Sequence, residues 1–418
     1  MSLDAQVADL CSRARPAARV VARLSDAQRQ AALLAAADAV AAAKDLILAA
    51  NTTDIAQGRK DGLSDAMIDR LRLDGGRLDA VIADVRAVAK LPDPVGEVLE
   101  RRTIAQGMPA EKIAVPIGVV AIIFESRPNV TVDAASLCLR SGNACILRGG
   151  KEAMHSNRAL ATAFRDGLSK ARCPADAVQL VQDTDRALIA KLLARDDAID
   201  IVIPRGGEAL IRAVIECSRV PVIKHDKGVC SLYIHANADL AMALRLIVNA
   251  KVQRPGVCNA LEYILVDNAV AARFLPLLAA EMAKHHVELR ADPRALPLLA
   301  GAKAATAADW GTEFLALILA VKVVDGLDDA LNAIAQFSSQ HSDGIVTANA
   351  EATARFLREV DSACVYHNAS TRFTDGNQFG FGAEVGISTN RLHARGPMGL
   401  RELCTYKWIV RGNGNART

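Results

Sequence analysis

The strongest constraint on the fold is an alternation of short apolar segments with longer amphipathic segments in the first half of the chain. The apolar segments are typical of strands, and the segments between them are typical of helices. The predicted strands are "GVVAIIF", "ACILRGG", "AVQLVQD", "AIDIVIPRGG" and "VPVIKHD". Continuous apolar runs of this kind are typical of strands buried on both faces. The alternation therefore predicts an α/β fold built on a parallel sheet that is covered by helices.

A second alternating region follows and runs to about residue 382. It includes "AVKVVDGLDDALNAIAQFSSQHSDGIVTANAEATARFLREV", again as strand, helix, strand and helix. Before the first region, residues 1–92 are almost wholly helical in pattern, with Ser25 as an N-cap and Gln28 three residues later. Because 418 residues exceed the usual size of one hydrophobic core, we expect two or three domains.

Two further segments predict exposed β-structure. The stretch "EVLERRTIAQGMPAEKIAVPIG" breaks at "QGMPAE" and predicts a hairpin, and "ELCTYKWIVRGNG" near the end of the sequence alternates like a strand. That last strand has no neighbouring strand in the sequence, and an unpaired sheet edge favours pairing with another chain. We therefore expect a homo-oligomer.

Composition argues against several classes of partner. The 50 basic and 47 acidic residues are interspersed and give a net charge of +3, without the basic block that grips nucleic acid. No uncharged apolar run approaches the roughly 18 residues of a membrane-spanning helix. The first 20 residues carry Asp4 and Asp9 and lack the apolar block of a signal peptide. We expect a cytoplasmic protein that contacts neither nucleic acid nor membrane.

The cysteines predict a reducing compartment and no metal site. There are nine, an odd number, with no CxxC pair and no closely spaced set of Cys and His ligands.

Two predicted strands end in glycine pairs just before helices, at Gly149-Gly150 and Gly206-Gly207. Ligands of doubly wound sheets bind at the carboxyl ends of the strands, where a glycine-rich turn lets a phosphate approach helix N–H groups. Arg148 and Lys151 flank the first pair and offer fixed positive charge. The pattern favours a nucleotide site, although a glycine pair alone also makes an ordinary tight turn.

Cys258 lies in a turn between a helical pattern and a strand pattern, in "NAKVQRPGVCNALEYILV". Pro255 ends the helix and Gly256 loosens the backbone. A thiolate in such a turn can attack a carbonyl carbon, and Asn259 or backbone N–H groups can hold the oxyanion that results. The C-terminal end of the helix opposes thiolate formation, so activation must come from elsewhere in the fold. The alternative is a small buried side chain.

The same turn resembles the nucleophile segment of the gamma-glutamyl phosphate reductase family, within the aldehyde dehydrogenase superfamily. The resemblance extends from about residue 100 to residue 411 and is strongest in "FESRPNVTVDAASLCLRSGNACILRGGKEA", "VIPRGG", "EFLALILAVKVV", "HSDGIVT" and "NASTRFTDGNQFGFGAEVGISTNRLHARGPMGLRELCTYKWI". It implies an aldehyde-dehydrogenase-like α/β fold: a Rossmann-type cofactor domain, a second α/β catalytic domain and a small β oligomerisation flap. The domains implied are 1–98 with 118–250 for NADPH, 251–383 for catalysis, and 99–117 with 384–418 for assembly.

The resemblance also implies a reaction. Cys258 attacks the acyl phosphate of L-glutamyl 5-phosphate, phosphate leaves, and NADPH reduces the thioacyl intermediate to L-glutamate 5-semialdehyde. This is the second step of proline biosynthesis from glutamate, so transient contact with glutamate 5-kinase is a further expectation.

Further site residues follow from the resemblance. Asn129 resembles the asparagine that holds the oxyanion, and Glu313 resembles the glutamate that holds the nicotinamide ribose. Arg148 stands where the superfamily has a cofactor-binding lysine, with Lys151 beside it, and the pair Gly206-Gly207 matches the cofactor-side turn. Each also has a plain alternative, as a turn residue, an exposed charge or a solvated carboxylate.

The substrate is anionic at both ends and therefore needs arginines or helix N-termini. Arg127 and Asn259 are candidates, as are three arginines in the glycine-rich stretch 370–399, namely Arg372, Arg391 and Arg395. Any one of these arginines is equally well explained as a charge that solubilises a loop.

The stretch "HDKGVC" departs from the hydrolytic aldehyde dehydrogenases. His225 stands where those enzymes have a glutamate base, as expected if phosphate rather than water is the acyl acceptor. Ser231 replaces the histidine that relatives usually carry, which argues against a catalytic role there.

Three other readings compete. A different acyl phosphate or acyl-CoA reductase shares the cysteine turn, but the segments "STRFTDG" and "RGPMGL" argue against it. A thiol hydrolase needs a His/Asn partner and no cofactor, whereas a binding or scaffold protein tolerates loss of the thiol.

Overall fold

The computed structural model describes residues 2–224 and 227–417 of the chain. It forms two compact units. Unit 1 comprises Met1–Lys224, Phe381–Gly386 and Met398–Thr418, and unit 2 comprises His225–Gly380 and Ile387–Pro397. Each unit is described by itself below.

Unit 1 begins with helices, as the sequence predicts. Ser25 accepts a hydrogen bond from the backbone N–H of Gln28, whose side chain accepts one from the N–H of Ser25, so the predicted capping box is confirmed. The five helices are α1 (Leu3–Val21), α2 (Asp26–Ala42), α3 (Lys44–Lys60), α4 (Asp65–Leu71) and α5 (Gly75–Ala89).

The predicted hairpin follows these helices. Strands β1 (Val98–Thr103) and β2 (Pro109–Pro116) pair antiparallel. The turn between them includes Gln106 and Gly107, both with positive φ (60° and 73°), which matches the break at "QGMPAE".

The core of unit 1 is a four-stranded parallel sheet in the order β5-β4-β3-β6. Every residue of β3, β4 and β5 is buried, which confirms the prediction of strands covered on both faces. Strands and helices alternate as β3 (Val119–Phe124), α6 (Val130–Arg140), β4 (Ala144–Arg148), α7 (Met154–Lys170), β5 (Val178–Leu180), α8 (Arg186–Leu193), β6 (Ile201–Arg205) and α9 (Glu208–Cys217).

One predicted strand of this region is wrong. The stretch "VPVIKHD" forms only an isolated bridge, between Val222 and Val202. Pro221 has no N–H to donate to a ladder, which limits pairing here. The last two residues of the stretch, including His225, lie outside the described residues.

Unit 2 contains a seven-stranded parallel sheet in the order β10-β9-β11-β8-β7-β12-β13. One face packs against α10 and α11 and the other against α12 and α13, each with its own apolar core. The elements are β7 (Cys230–Ile234), α10 (Leu240–Val252), β8 (Leu261–Asp267), α11 (Asn268–Lys284), β9 (Glu288–Ala291), β10 (Lys303–Ala304), β11 (Ile318–Val324), α12 (Leu327–Phe337), β12 (Ser342–Val346), α13 (Ala350–Glu359) and β13 (Cys364–His367).

The remaining strands are β14 (Gly386–Ser388) and β15 (Gly396–Met398), which pair with each other, and β16 (Cys404–Val410). Strand β16 pairs antiparallel with β2, so that the sheet order is β1-β2-β16. The tail strand is therefore not alone, contrary to our interpretation of the sequence: its neighbour lies almost 300 residues earlier, as in the pairing of Arg411 with Glu111.

The compact units divide near residue 224 and not at residue 250. Strand β7 pairs with β8 and β12, so the stretch that holds β7 and α10 belongs to the sheet of unit 2.

Within residues 2–224 and 227–417, no helix has both the length and the apolarity needed to cross a membrane. The same residues contain no group of three or more His, Cys, Asp or Glu side chains placed to hold a metal ion.

Candidate active site

Cys258 lies in the turn between α10 and β8, as the sequence predicts. The helix ends at Val252 and the strand begins at Leu261, so the Cys258 loop, residues 253–260, is only eight residues long. The side chain of Cys258 is half-buried, whereas the next two residues are buried. The thiol thus stands at the accessible part of a loop that is anchored on its later side.

The backbone of Gly228 packs directly against that of Cys258. A methyl group at Gly228 would lie 2.1 Å from the carbonyl oxygen of Cys258 and 2.5 Å from its Cα. Only glycine permits this approach without a shift of the backbone. Gly228 is therefore part of the support of the nucleophile loop, although its φ is not in the left-handed region.

A second thiol lies behind the first. Cys230 is fully buried, and its Sγ donates a hydrogen bond to the carbonyl oxygen of Cys258 over 3.2 Å. The Nδ1 atom of His341 lies 3.5 Å from the same Sγ. Burial raises the pKa of the Cys230 thiol, so it is protonated at neutral pH and is a donor rather than a nucleophile.

A chain of hydroxyl groups, buried at Ser342 and Thr374 and half-buried at Tyr366, continues from this histidine. Nδ1 of His341 is 2.9 Å from Oγ of Ser342, and this hydroxyl is 2.6 Å from Oγ1 of Thr374. The phenol of Tyr366 completes the chain at 2.7 Å from Thr374, and burial raises the pKa of that phenol. Through Cys230, this network supports the Cys258 loop from inside the unit.

Asn259 is buried and supports the same loop. Its Nδ2 group donates to the carbonyl oxygen of Thr374 at 2.7 Å and faces that of Arg372 at 3.5 Å, while its backbone carbonyl oxygen accepts from Thr371 Oγ1. The amide hydrogens are thus directed at the protein backbone. The oxyanion role that we considered for this side chain does not fit, and the backbone N–H groups of the loop are the better donors.

Arg372 provides positive charge beside the nucleophile. Its Nε donates to Oε1 of Gln253 over 3.0 Å, and its backbone carbonyl faces Asn259, so Arg372 contacts both the first residue of the Cys258 loop and a residue near its end. Burial and the neighbouring Arg254 lower the pKa of Arg372, whereas Asp375 and the thiol groups of Cys258 and Cys230 act in the opposite direction.

The other two arginines of the glycine-rich stretch share one carboxylate. Arg395 donates from Nη1 to Oδ1 of Asp361 at 2.6 Å, and Arg391 contacts Oδ2 of the same residue at 2.7 Å. Their charge is therefore partly neutralised within unit 2, in contrast to that of Arg372.

Glu313 lies in the segment that precedes β11. Two residues later, the backbone N–H of Leu315 donates to Oε1 of the buried Glu262 over 3.4 Å. Leu315 has a positive φ of 54°, so the chain bends sharply at this contact.

Ser231 is buried and donates to Oδ1 of Asp343 over 2.5 Å. This contact accounts for the serine without a catalytic role.

In unit 1, Arg148 occupies the carboxyl end of β4 and is only 8% exposed. Its Nη2 donates to the carbonyl oxygen of Thr184 over 3.1 Å, while its buried Nε has no partner within the described residues. Burial lowers the pKa of Arg148, and the carboxylates of Glu152 and Glu125 oppose that shift. Lys151 is exposed in the turn that follows.

The first glycine pair is constrained by packing. A methyl group at Gly149 would lie 2.0 Å from Nδ2 of Asn157, and one at Gly150 would lie 2.0 Å from Oε1 of Glu152. That carboxylate oxygen accepts from the backbone N–H and the hydroxyl of Ser126. In this turn the backbone thus packs closely against the polar side chains of Asn157 and Glu152.

The second glycine pair precedes α9. The start of this helix already faces a carboxylate of the protein itself, that of the exposed Glu125. Gly207 N–H donates to Oε2 of Glu125 over 3.1 Å, and a methyl group at Gly206 would lie 2.5 Å from the same oxygen. The sequence did not indicate this contact. Glu125 competes with any phosphate for this helix end, whereas a methyl group at Gly207 would meet no atom within 4 Å.

Asn129 stands at the start of α6, where Nδ2 donates to Oδ2 of Asp133 over 2.7 Å. Burial raises the pKa of Asp133 to about 7, the hydrogen bond from Asn129 lowers it, and Asp84 raises it. Oδ1 of Asp133 is fully enclosed and has no partner among the described residues. Arg127 lies just before this helix and is exposed.

The predicted site residues are thus divided between the two units. In unit 2 the group comprises Cys258, Asn259 and Arg372, whereas Arg395 pairs with Asp361. In unit 1, Arg148, Lys151 and the two glycine pairs lie at the carboxyl ends of β4 and β6. The residues that the sequence missed are Gly228, Cys230 and Glu125. The stretch "HDKGVC" holds the first two and "FESRPN" holds the third, but the sequence draws attention to other positions in both stretches.

Known proteins are similar to this chain in sequence and in fold. Residues 2–310 match the model of the aldehyde dehydrogenase family. The chain is 54% identical to the gamma-glutamyl phosphate reductase of Opitutus terrae and 49% identical to that of Moorella thermoacetica, each over 100% of both chains. The crystal structure of gamma-glutamyl phosphate reductase from Thermotoga maritima superimposes with a TM-score of 0.97 at 41% identity, over 99% of this chain and 100% of that one. The chain therefore belongs to the aldehyde dehydrogenase family and, within it, to the gamma-glutamyl phosphate reductases.

Proposed function

We propose that the protein reduces L-glutamyl 5-phosphate to L-glutamate 5-semialdehyde and phosphate, as the second step of proline biosynthesis from glutamate. The observation that carries the proposal is the half-buried thiol of Cys258 in a short loop, fixed from behind by Gly228 and Cys230. A rigidly held thiol beside a cation is the arrangement that nucleophilic attack on an acyl group needs. Membership of the family supports the same substrate.

The reaction proceeds in two halves at Cys258. The thiolate attacks C5 of the acyl phosphate, the carbonyl oxygen becomes an oxyanion beside the loop N–H groups, and phosphate leaves as the thioester forms. When bound, a reduced nicotinamide would supply the hydride that reduces the thioester carbon. Collapse of the resulting hemithioacetal releases the aldehyde and returns the sulfur as thiolate. Arg372 stabilises the thiolate before attack and after release.

Asn129 is the proposed second donor to the oxyanion. One hydrogen of its Nδ2 group is held by Asp133, which fixes the plane of the amide and leaves the other hydrogen for the substrate. Arg127, Arg372, Arg395 and Asn259 are the proposed substrate-binding group, with Asn259 acting through the loop that it supports.

Aldehyde dehydrogenases use a nicotinamide cofactor, and the residues of unit 1 fit NADPH. The buried Nε of Arg148 lacks a partner among the described residues, and Lys151 is exposed close by in the sequence; these two cations support the proposal that the cofactor carries a 2′-phosphate. Gly206 and Gly207 give the cofactor backbone access, and Glu313 of unit 2 is the proposed contact of the nicotinamide ribose. No metal takes part in the proposed reaction.

These assignments give the units their proposed roles. Unit 1 binds the cofactor, unit 2 carries the nucleophile, and the sheet β1-β2-β16 mediates assembly into a homo-oligomer in the cytoplasm. Alternate residues of β16, namely Tyr406, Trp408 and Val410, are 53%, 42% and 49% exposed. An exposed row of large apolar side chains supports the proposal that a second copy of the chain covers this strand. Light scattering on the wild type and on Trp408→Glu tests assembly, and a pull-down tests transient contact with glutamate 5-kinase.

The reverse reaction tests the central proposal. Purified protein is mixed with glutamate 5-semialdehyde, NADP⁺ and phosphate, and the absorbance of reduced cofactor is followed. We expect activity that requires phosphate, is lost in Cys258→Ala and persists in Cys217→Ala, the other half-buried cysteine of the described chain. Activity without phosphate would indicate a hydrolytic aldehyde dehydrogenase, and equal activity of Cys258→Ala would remove the thiol from the mechanism.

A further inference from the structure

A buried ion pair brackets the Cys258 loop. Lys251 stands in the last turn of α10, and Glu262 is the second residue of β8, so the two residues lie just before and just after the loop. Nζ of Lys251 is 2.7 Å from Oε2 of Glu262, and both side chains have 0% exposure. Burial lowers the pKa of Lys251 and raises that of Glu262, while their mutual attraction opposes both shifts.

The pair makes two further contacts. Nζ of Lys251 also donates to the carbonyl oxygen of Leu261 over 2.7 Å, at the point where the loop enters the strand. Oε1 of Glu262 accepts from the N–H of Leu315, in the segment that carries Glu313. Two oxygens of one carboxylate therefore connect the helix before the nucleophile with the segment proposed to contact the cofactor.

Stability alone gives little reason to keep such a pair. Desolvation of two charges costs about as much as their attraction returns, and apolar residues of similar volume often serve a buried position as well or better. The aliphatic surroundings of α10 and β8 would accept apolar side chains, since their neighbours Ala250 and Leu261 are themselves fully buried. The geometry that apolar residues cannot supply is the directed contact to Leu261 and Leu315.

We propose that Lys251 and Glu262 are a positioning pair that closes the base of the Cys258 loop and holds it in register with the Glu313 segment. Neither residue touches the reacting atoms. This inference rests on the proposed function, in which the position of the thiol relative to the Glu313 segment must be accurate to a fraction of an ångström. A displacement of about 1 Å costs on the order of 100-fold in rate. The pair ties both segments to one carboxylate.

The test uses a double variant, Lys251→Met with Glu262→Leu, which removes both charges and keeps the volume. A matched control, Arg294→Ala with Asp325→Ala, removes an exposed ion pair of the same unit. Glu262→Gln is the conservative variant, because it retains an acceptor for the Leu315 N–H. Thermal unfolding first establishes that each variant is folded.

Two readouts follow. In the reverse assay, we expect kcat of the double variant to fall by about 100-fold, that of Glu262→Gln to fall less, and KM for phosphate to change little. Independently of any activity, the rate of alkylation of Cys258 is measured against pH by mass spectrometry of its peptide, and the profile of the double variant is expected to differ from that of the control, because the position of the thiol in its loop changes.

The alkylation readout separates this inference from the proposed function on which its kinetic part rests. A wild type without reductase activity would overturn the proposed function, whereas a shifted alkylation profile in the double variant would still support the positioning pair. A folded double variant whose alkylation profile and kcat match those of the control would overturn it.

Discussion

The buried thiol of Cys230 donates a hydrogen bond to the backbone carbonyl oxygen of Cys258 over 3.2 Å. One cysteine therefore orients the peptide group of the other. Cys230 begins β7, and its partner residue in β8, Leu261, directly follows the Cys258 loop. The first is closed to solvent and the second is half-buried. Two cysteines of one site therefore have different tasks, which their environments separate.

Removal of the Cys230 donor should loosen the nucleophile peptide. We expect Cys230→Ala to lower the free energy of unfolding by about 1 kcal/mol and to lower kcat in the reverse assay, because a net hydrogen bond and its orientation are lost. Cys230→Ser retains an O–H donor and should keep more activity than the alanine variant. Chemical denaturation and the reverse assay check both expectations, and equal activity of the two variants would contradict them.

Gly228→Ala should displace Cys258. The added methyl group would lie 2.1 Å from the Cys258 carbonyl oxygen, so one of the two backbones must move. We expect kcat/KM to fall by about 100-fold while the protein remains folded. Gly256→Ala is the matched control, because its methyl group would meet only the Leu315 carbonyl oxygen, at 3.8 Å. A smaller loss in Gly228→Ala than in Gly256→Ala would show that the close contact is unimportant.

Gly207→Ala offers a clean test of cofactor approach. A methyl group there meets no atom within 4 Å, and the backbone has an ordinary φ of −73°, so the fold should tolerate it. If the cofactor passes close to this turn, its affinity should fall by about tenfold, or roughly 1.4 kcal/mol. Calorimetric titration with NADP⁺ measures the change. Gly76→Ala, in α5, is the control that should bind as the wild type does.

Asp133 predicts a pH dependence of stability. Because burial raises its pKa in the folded protein from the ordinary 3.8 to about 7, the unfolded chain loses this proton at a lower pH than the folded chain. The stabilising contribution of the neutral form is therefore complete below about pH 4 and is lost as pH rises through 7. We expect Asp133→Asn to remove this part of the decline in melting temperature between pH 5 and pH 8.

Differential scanning calorimetry at several pH values measures that decline. The exposed Asp196 offers a control, since Asp196→Asn should leave the pH profile of the wild type in place. If the profile of Asp133→Asn were as steep as that of the wild type, another group would be responsible.

Local patterns were enough to predict the features that depend on neighbours in the sequence. The strand–helix alternation, the capping box of Ser25 and Gln28, and the turn around Cys258 each follow from a few adjacent residues. Their physical causes, namely backbone propensity, burial periodicity and the limits that proline imposes, act over short distances.

The features that the sequence did not predict depend on distant contacts. The support of Cys258 comes from β7, about 30 residues earlier in the chain. Gly207, at the start of α9, contacts Glu125, which lies 82 residues earlier. Nothing in the local composition of "HDKGVC" indicates that its glycine faces the nucleophile. The partner of β16 was missed for the same reason, because register between strands so far apart is set by the assembled fold.

The pairing of β16 with β2 also constrains how the protein folds. The whole of residues 225–380 lies between these strands in the chain, so their pairing closes a very long loop and gains nothing until both ends have been brought together. The hairpin of β1 and β2 must wait with one edge unpaired while the intervening polypeptide organises itself. We therefore expect completion of this small sheet to be a late folding event, with its exposed edge open to mispairing during synthesis.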